Sequence, residues 1–354
     1  MHQDLGLGAD KSMMGNYKIS LFVKRVLIPA FFLLSPTVAR GQDAAPLSGE
    51  PILPLPLQAP GADQAKIQLG HLLFHEQRLS KNNSVSCASC HALELGGADH
   101  KQFSVGFNGQ LGGLNTPTVL NSSLNFKQFW DGRANTLEDQ IDGPVLNAKE
   151  MGSTWSEVLE KLRSDEKYVL LFKNIYQAEI APAHIKDAIA HFERSLITPN
   201  SRFDQYLRGN KTAMSAKEVE GYRKFKSFGC VSCHQGMNIG GNMFQTMGVM
   251  GNYFKDQKRA ITENDLGRYN VTKKERDKHV FRVPSLRNVA LTAPYFHDGS
   301  AQTLDQAVNV MARYQLGRQL SKVEVEQIVA FLESLTGQKP TRPPLATTLK
   351  SATK

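Results

Sequence analysis

Two short stretches of the chain combine residues that can do covalent and redox chemistry: Cys87-Ala-Ser-Cys90-His91 and Cys230-Val-Ser-Cys233-His234. Two thiols three positions apart lie along one helical turn and can add to the two vinyl groups of a single haem. A histidine directly after the second thiol is then placed to ligate the iron from the same side. A Cys-x-x-Cys pair by itself would also suit a thioredoxin-like redox couple or half of a zinc site. Duplication of the motif and the lack of a strand-helix-strand pattern speak against the redox couple. A zinc site of the two-Cys, two-His type wants its histidines a dozen or more residues away, not abutting the second thiol. The spacing therefore predicts two covalent c-type haems, one on Cys87 and Cys90, the other on Cys230 and Cys233. His91 and His234 are their proximal iron ligands. All four cysteines of the chain are used in this way, so none is left for a structural disulfide.

The ligand on the far side of each iron decides whether it passes electrons or meets a substrate. A methionine sulfur closes the iron and raises its potential, whereas an open position admits a small molecule. With ten methionines and ten histidines in the chain, spacing alone does not choose between them.

These groups need a scaffold, and the pattern around them is helical. Start signals of the form Ser/Thr-x-x-Glu/Gln recur at Thr154 and Glu157, Ser215 and Glu218, Thr303 and Gln306, and Ser321 and Glu324, each followed by apolar residues at three-to-four spacing. The last signal opens a stripe of Val325, Ile328, Val329, Leu332 and Leu335, closed by Gly337. Alternating strand patterns are nearly absent, and Gly and Asn are dense at 92–125 and 235–275. The expected fold is mostly α, with long loops, little strand and two cytochrome c-like domains, each holding one haem. Cys87 and Cys230 lie 143 positions apart, about one domain length. Thr198-Pro199-Asn200 marks the expected boundary, giving domains at 63–200 and 201–337. Residues 40–62 read as an extended linker or arm and 338–354 as a flexible tail, both rich in residues that break regular structure.

Ahead of the arm, Lys18, Lys24 and Arg25 precede an apolar run at 26–34, followed by small residues at Thr37 and Ala39. That is the pattern of a secretory signal spanning 1–39, with Met13 or Met14 as alternative initiators. The run is too short to span a bilayer. At 354 residues, 41% apolar and 21% charged, the chain can bury large cores, which excludes disordered, collagen-like and membrane-bundle classes. The formal charge of +9 falls to +7 without residues 1–39, which carry four cationic and two acidic side chains. The excess is diffuse along the chain, and nucleic acid is not an expected partner.

From about Gly70 to Gly337 the chain resembles the bacterial di-haem cytochrome c peroxidases. The matching stretches are Leu73-Phe74 up to the first haem motif, Asn-Thr-Pro-Thr-Val-Leu-Asn at 115–121, Gln-Phe-Trp-Asp-Gly-Arg-Ala at 128–134, Asp-Leu-Gly-Arg-Tyr at 265–269, Phe-Arg-Val-Pro-Ser-Leu-Arg-Asn-Val-Ala at 281–290 and Pro-Tyr-Phe-His-Asp-Gly at 294–299. The resemblance implies a peroxide-reacting haem in the N-terminal domain and a His/Met electron-transfer haem in the C-terminal one, with Met311 as the methionine ligand. It further implies that Glu150 is the acid/base over the first haem and Gln140 its amide neighbour, with Trp130 an electron relay between the haems. The Asn115 side chain and the carbonyls of Thr292 and Pro294 match a calcium site between the domains, where an all-oxygen set suits that ion. The signal pattern implies export to the periplasm, and the resemblance implies a homodimer that takes electrons from a small cytochrome c or a cupredoxin and passes them to hydrogen peroxide.

One position departs from the family. Many members carry a histidine about 16 residues after the first haem motif that caps the peroxide-reacting iron at rest and leaves on reduction. Phe107 stands there in this chain, and His100 is the nearby histidine. The expectation is an open distal position and an enzyme that needs no reductive priming. Two alternatives belong to other functional classes. A MauG-like relative would oxidise side chains of a partner protein with peroxide; Phe107 leans toward it, and Met311, where that type carries tyrosine, leans away. A pure electron carrier would have no use for Glu150 and Gln140.

Overall fold

The computed structural model describes residues 49–59 and 61–340. The expected signal sequence at 1–39, the initiator choice, the first part of the arm and the end of the tail from 341 lie outside them. Among the described residues, no helix is long and apolar enough to cross a membrane.

The chain folds as helices joined by long loops, with a single pair of three-residue strands among the described residues. Phe244–Thr246 and Val280–Arg282 run antiparallel, with Phe244 opposite Arg282. The start signals act as the sequence indicates. Thr154, Ser215 and Ser321 each form a capping box, and Thr303 accepts from the Gln306 N–H, so that orphan amides at the helix starts are satisfied. The last helix, Lys322–Glu333, buries Val325, Ile328 and Leu332, but it ends at Ser334, three residues before the Gly337 that the sequence suggests.

Two crossings repeat one design. Gly70, in helix Gln64–Phe74, meets the backbone of helix Pro182–Ser195, where an added Cβ would lie 1.9 Å from the Ala188 carbonyl oxygen. Gly221, in helix Ala216–Ser227, meets helix Lys322–Glu333 in the same way, 1.9 Å from the Gln327 oxygen. Only glycine permits either approach. Phe192 packs at the first crossing and Phe331 at the second, each inside its own apolar core.

The first core draws on residues from Ile67 to Leu196, the second on residues from Phe203 to Leu335 together with Ile52. Ile52 shows that the arm is partly docked. The buried Arg287 guanidinium donates to the Leu53 carbonyl (2.9 Å) and to Asp204 (2.7 Å), Asp204 accepts from the Leu55 N–H (3.1 Å), and Glu50 accepts from Tyr222. Thr198 is buried as well. Its hydroxyl accepts from the amides of Asn121 and Asn288, both at 2.8 Å, so the segment around Pro199 is a buried polar knot and not an exposed hinge.

Candidate functional site

Each Cys-x-x-Cys-His motif lines a large cavity of its own. The first, about 480 Å³, is walled by Cys87, Cys90, His91, Gln140, Glu150 and Trp130 among others. The second, about 520 Å³, is lined by Cys230, Cys233 and His234 and by Met311 of helix Leu304–Leu316. Both volumes fall in the roughly 300–1,000 Å³ range of cofactor pockets.

The histidines are set up to ligate. His91 Nδ1 lies 3.2 Å from the Gly97 carbonyl oxygen, and His234 Nδ1 lies 3.3 Å from that of Ile239. Donation through Nδ1 fixes the tautomer and turns Nε2 to the cavity as a free electron pair, the arrangement that orients metal-binding imidazoles. Burial lowers the pKa of His91 and pushes that of His234 down to about 4, so both rings are the neutral form a metal needs. The thiols go the other way. Burial pushes Cys87 up to about 12 and Cys230 up to about 11, whereas a redox couple or a thiolate zinc site needs depressed values. Paired thiols beside a large cavity and an imidazole oriented through Nδ1 fit a covalent haem.

Glu150 stands at the first cavity on a tight turn after helix Leu137–Leu146. The Asn147 side-chain amide donates to its Oε1 at 2.7 Å. Burial raises the Glu150 pKa, opposed by that hydrogen bond and by the charge of Arg133. A carboxyl pushed upward over a cavity can hold a proton and return it. Gln140 lines the same wall.

Phe107 lies away from the cavity. Its N–H donates to the Glu150 carbonyl at 2.8 Å, and its ring rests against Gly152, so it clamps the loop at 104–112 onto the turn that carries Glu150. His100 is turned elsewhere too, with Nε2 within 2.8 Å of the Leu95 oxygen and 2.7 Å of the Leu291 oxygen. His91 is the single imidazole among the described residues that line the first cavity.

Trp130 lines both cavities. Its indole N–H donates to the Asn115 carbonyl (2.9 Å), its own carbonyl accepts from the Arg282 N–H (2.8 Å), and its ring meets His297 edge-on at 6.5 Å. The Asn115 side chain donates its amide to the carbonyls of Lys101 (2.9 Å) and Gln102 (3.4 Å), which leaves Oδ1 facing the other way. Asn115, Thr292 and Pro294 line the second cavity together.

Three features escape a reading of the sequence. Met247 lines the second cavity beside Met311. Glu193 is buried against the first cavity with no side-chain partner among the described residues, and burial pushes its pKa up to about 8. Its signal was its place on the apolar stripe of its helix, with Ile185, Ile189 and Phe192. Arg282 is buried in the wall that both cavities share, a cation inside the apolar run Val280-Phe281-Arg282-Val283.

Comparison with known proteins places this architecture. Residues 64–212 match the family model described as di-haem cytochrome c peroxidase. The chain is 48% identical over 289 residues to cytochrome c peroxidase Ccp of Escherichia coli (strain K12), an overlap of 81% of this chain and 61% of that protein, less than two-thirds of its length. It is 46% identical over 321 residues to cytochrome c551 peroxidase of Nitrosomonas europaea, covering 90% of this chain and 93% of that one. Among solved structures, a MauG-like protein associated with microbial copper homeostasis superposes with a TM-score of 0.70 at 28% identity, over 82% of this chain and 94% of the other.

Proposed function

The chain belongs to the di-haem cytochrome c peroxidase family, and from that premise we propose that it reduces hydrogen peroxide at the first cavity with electrons received through the second. The observation that carries this reading is the placement of Glu150 and Gln140 on the cavity of His91, with the Glu150 carboxyl raised by burial. Cys87 and Cys90 would hold the first haem by thioethers with His91 Nε2 on its iron; Cys230, Cys233, His234 and Met311 would hold the second. The haems supply the iron that binds peroxide and the store of electrons for its reduction. Glu150 accepts a proton from the near oxygen of the peroxide and delivers it to the far oxygen, so that water departs and not hydroxide. The Asn147 amide, 2.7 Å from Oε1, keeps that carboxyl aimed. Gln140 offers an amide to the same space. Trp130, an indole lining both cavities, would relay electrons between them.

The domain division at 63–200 and 201–337, export to the periplasm, homodimer assembly and a small cytochrome c or cupredoxin as donor belong to the same proposal. So does one calcium ion held by Asn115, Thr292 and Pro294. The donor set fits: among the described residues, no hydrogen bond is made to Asn115 Oδ1 or to the carbonyls of Thr292 and Pro294, so all three oxygens are free for a hard cation. The MauG-like alternative keeps Phe107 in its favour, but the relatives named peroxidases are at 46–48% identity and the MauG-like structure at 28%.

The test is Glu150→Gln in the holoprotein. Both haems should stay attached with unchanged spectra, while peroxide turnover falls roughly 10²-fold or more, the scale of a lost general acid/base. Turnover at the unmutated rate would make Glu150 a bystander.

A further inference from the structure

Arg282 ends the strand Val280–Arg282, is 4% exposed, and lies in the wall common to both cavities. Its contacts are all with neutral groups. Nε donates to the Phe129 carbonyl at 3.2 Å and Nη1 to Asn125 Oδ1 at 3.0 Å, while Nη2 has no partner among the described residues. Asn125 Oδ1 is already shared with the amide of Asn238, at 3.0 Å. No carboxylate among the described residues pairs with Arg282, and burial alone pushes its pKa down to about 10. The buried Arg287 nearby in sequence shows the ordinary solution, a direct pair with Asp204 at 2.7 Å. A buried guanidinium without an anion is costly, and the cost persists only where an anion arrives from elsewhere.

The second cavity shows where that anion is needed. No other Lys or Arg, and no Asp or Glu, lines it among the described residues. The first cavity is different, since Arg133 and Lys149 line it as well. A haem carries two propionates, and the guanidinium fork matches a carboxylate in a way that no other side chain of the second cavity does.

We propose that Arg282 is the propionate anchor of the second haem and, from the shared wall, an electrostatic link between the two haems. The inference rests on both cavities being haem sites. A fixed positive charge beside a haem favours ferrous over ferric iron, because it offsets the electron that reduction adds. Arg282 therefore raises both potentials, and it raises the second more, where it is the sole cation. It touches neither iron and is a positioning and tuning residue.

The experiment is a spectroelectrochemical titration of the holoprotein with and without Arg282→Gln, after a pyridine haemochrome assay has counted two covalent haems per chain. That count tests the haem assignment by itself, since Arg282 takes no part in thioether formation. In the variant the ferrous/ferric equilibrium of the second haem should shift at least about tenfold toward ferric, about 59 mV for one electron. The first haem should move in the same direction by less. Two unchanged midpoints in a protein with both haems attached would overturn the proposal. Should Arg282→Gln fail to fold, Arg282→Lys keeps the charge and loses the fork. The propionate bending mode of the second haem in its resonance Raman spectrum should then shift, and an unshifted mode would overturn the proposal equally.

Discussion

Gly106→Ala is expected to disable turnover while leaving the Glu150 side chain and every proposed haem ligand unmutated. The Gly106 Cα sits so close to the turn of Glu150 that an added Cβ would lie 2.1 Å from the Lys149 carbonyl oxygen and 2.6 Å from that of Glu150. Neither obstacle is the yielding end of a side chain, so the loop at 104–112 and the turn at 147–152 must separate by about 1 Å to restore ordinary contact. The hydrogen bond from the Phe107 N–H to the Glu150 carbonyl, 2.8 Å long, would open beyond hydrogen-bonding range and free the turn. Overpacking of this kind costs about 1–3 kcal/mol of stability. A misplacement of about 1 Å in a group that must meet its substrate in register can cost 10²-fold in rate. Donor-linked peroxide turnover, read beside the haem spectrum and the melting curve, separates the two effects. Leu111→Ala is the control, a side chain 59% exposed on the same loop. A folded Gly106→Ala protein with full turnover would refute the view that this loop holds Glu150 in place.

Other substitutions probe the remaining assignments. Met311→Ala should leave both haems attached but lower the potential of the second, whereas Met247→Ala should leave it in place; spectroelectrochemistry decides, and the reverse result would transfer the ligand role to Met247. Phe107→His should leave the first haem uncapped, because the side chain at 107 points to Gly152 and not into the cavity. Stopped-flow mixing of the oxidised protein with peroxide, with and without one equivalent of reductant, should show no lag in the unmutated protein or in the variant, and a lag in the variant would show that the loop can turn this side chain to the iron. Glu193→Gln should gain stability relative to the unmutated protein as pH rises from 5 to 8. The folded-state pKa near 8 exceeds the ordinary 4.5, so the folded chain holds the proton that the unfolded chain has lost, and stability drops by about 1.4 kcal/mol per pH unit in that window. Denaturant titrations at both ends of the window check it, and an equal gap at pH 5 and pH 8 would contradict it.

Much of this was legible in the sequence because the chemistry is local there. Cys-x-x-Cys-His specifies thiols and imidazole on one turn, and Ser/Thr-x-x-Glu specifies a helix start within four residues; Thr154, Ser215 and Ser321 behave accordingly. What lies outside such windows depends on packing between distant segments. The glycine crossings at Gly70 with Ala188 and Gly221 with Gln327 join residues more than 100 positions apart, and no motif announces them. Arg282 and Glu193 look like ordinary charges until the fold buries them against cavities. Spacing puts Phe107 where the family's capping histidine stands, yet its ring points to Gly152 and not to the cavity, because its N–H bond to the Glu150 carbonyl fixes the loop's direction. The arm reads as structureless from its prolines, but Ile52 and Leu55 find buried sites, held by Asp204 and Arg287.

The most direct measurement of the central claim is peroxide-dependent oxidation of a reduced small c-type cytochrome by the full chain carrying both haems, run beside Glu150→Gln. The expected result is catalytic oxidation of about two donor molecules per peroxide consumed, lowered roughly 10²-fold in the variant. A haem-loaded protein that leaves the donor reduced in the presence of peroxide, or a variant that oxidises it as fast, would contradict the account.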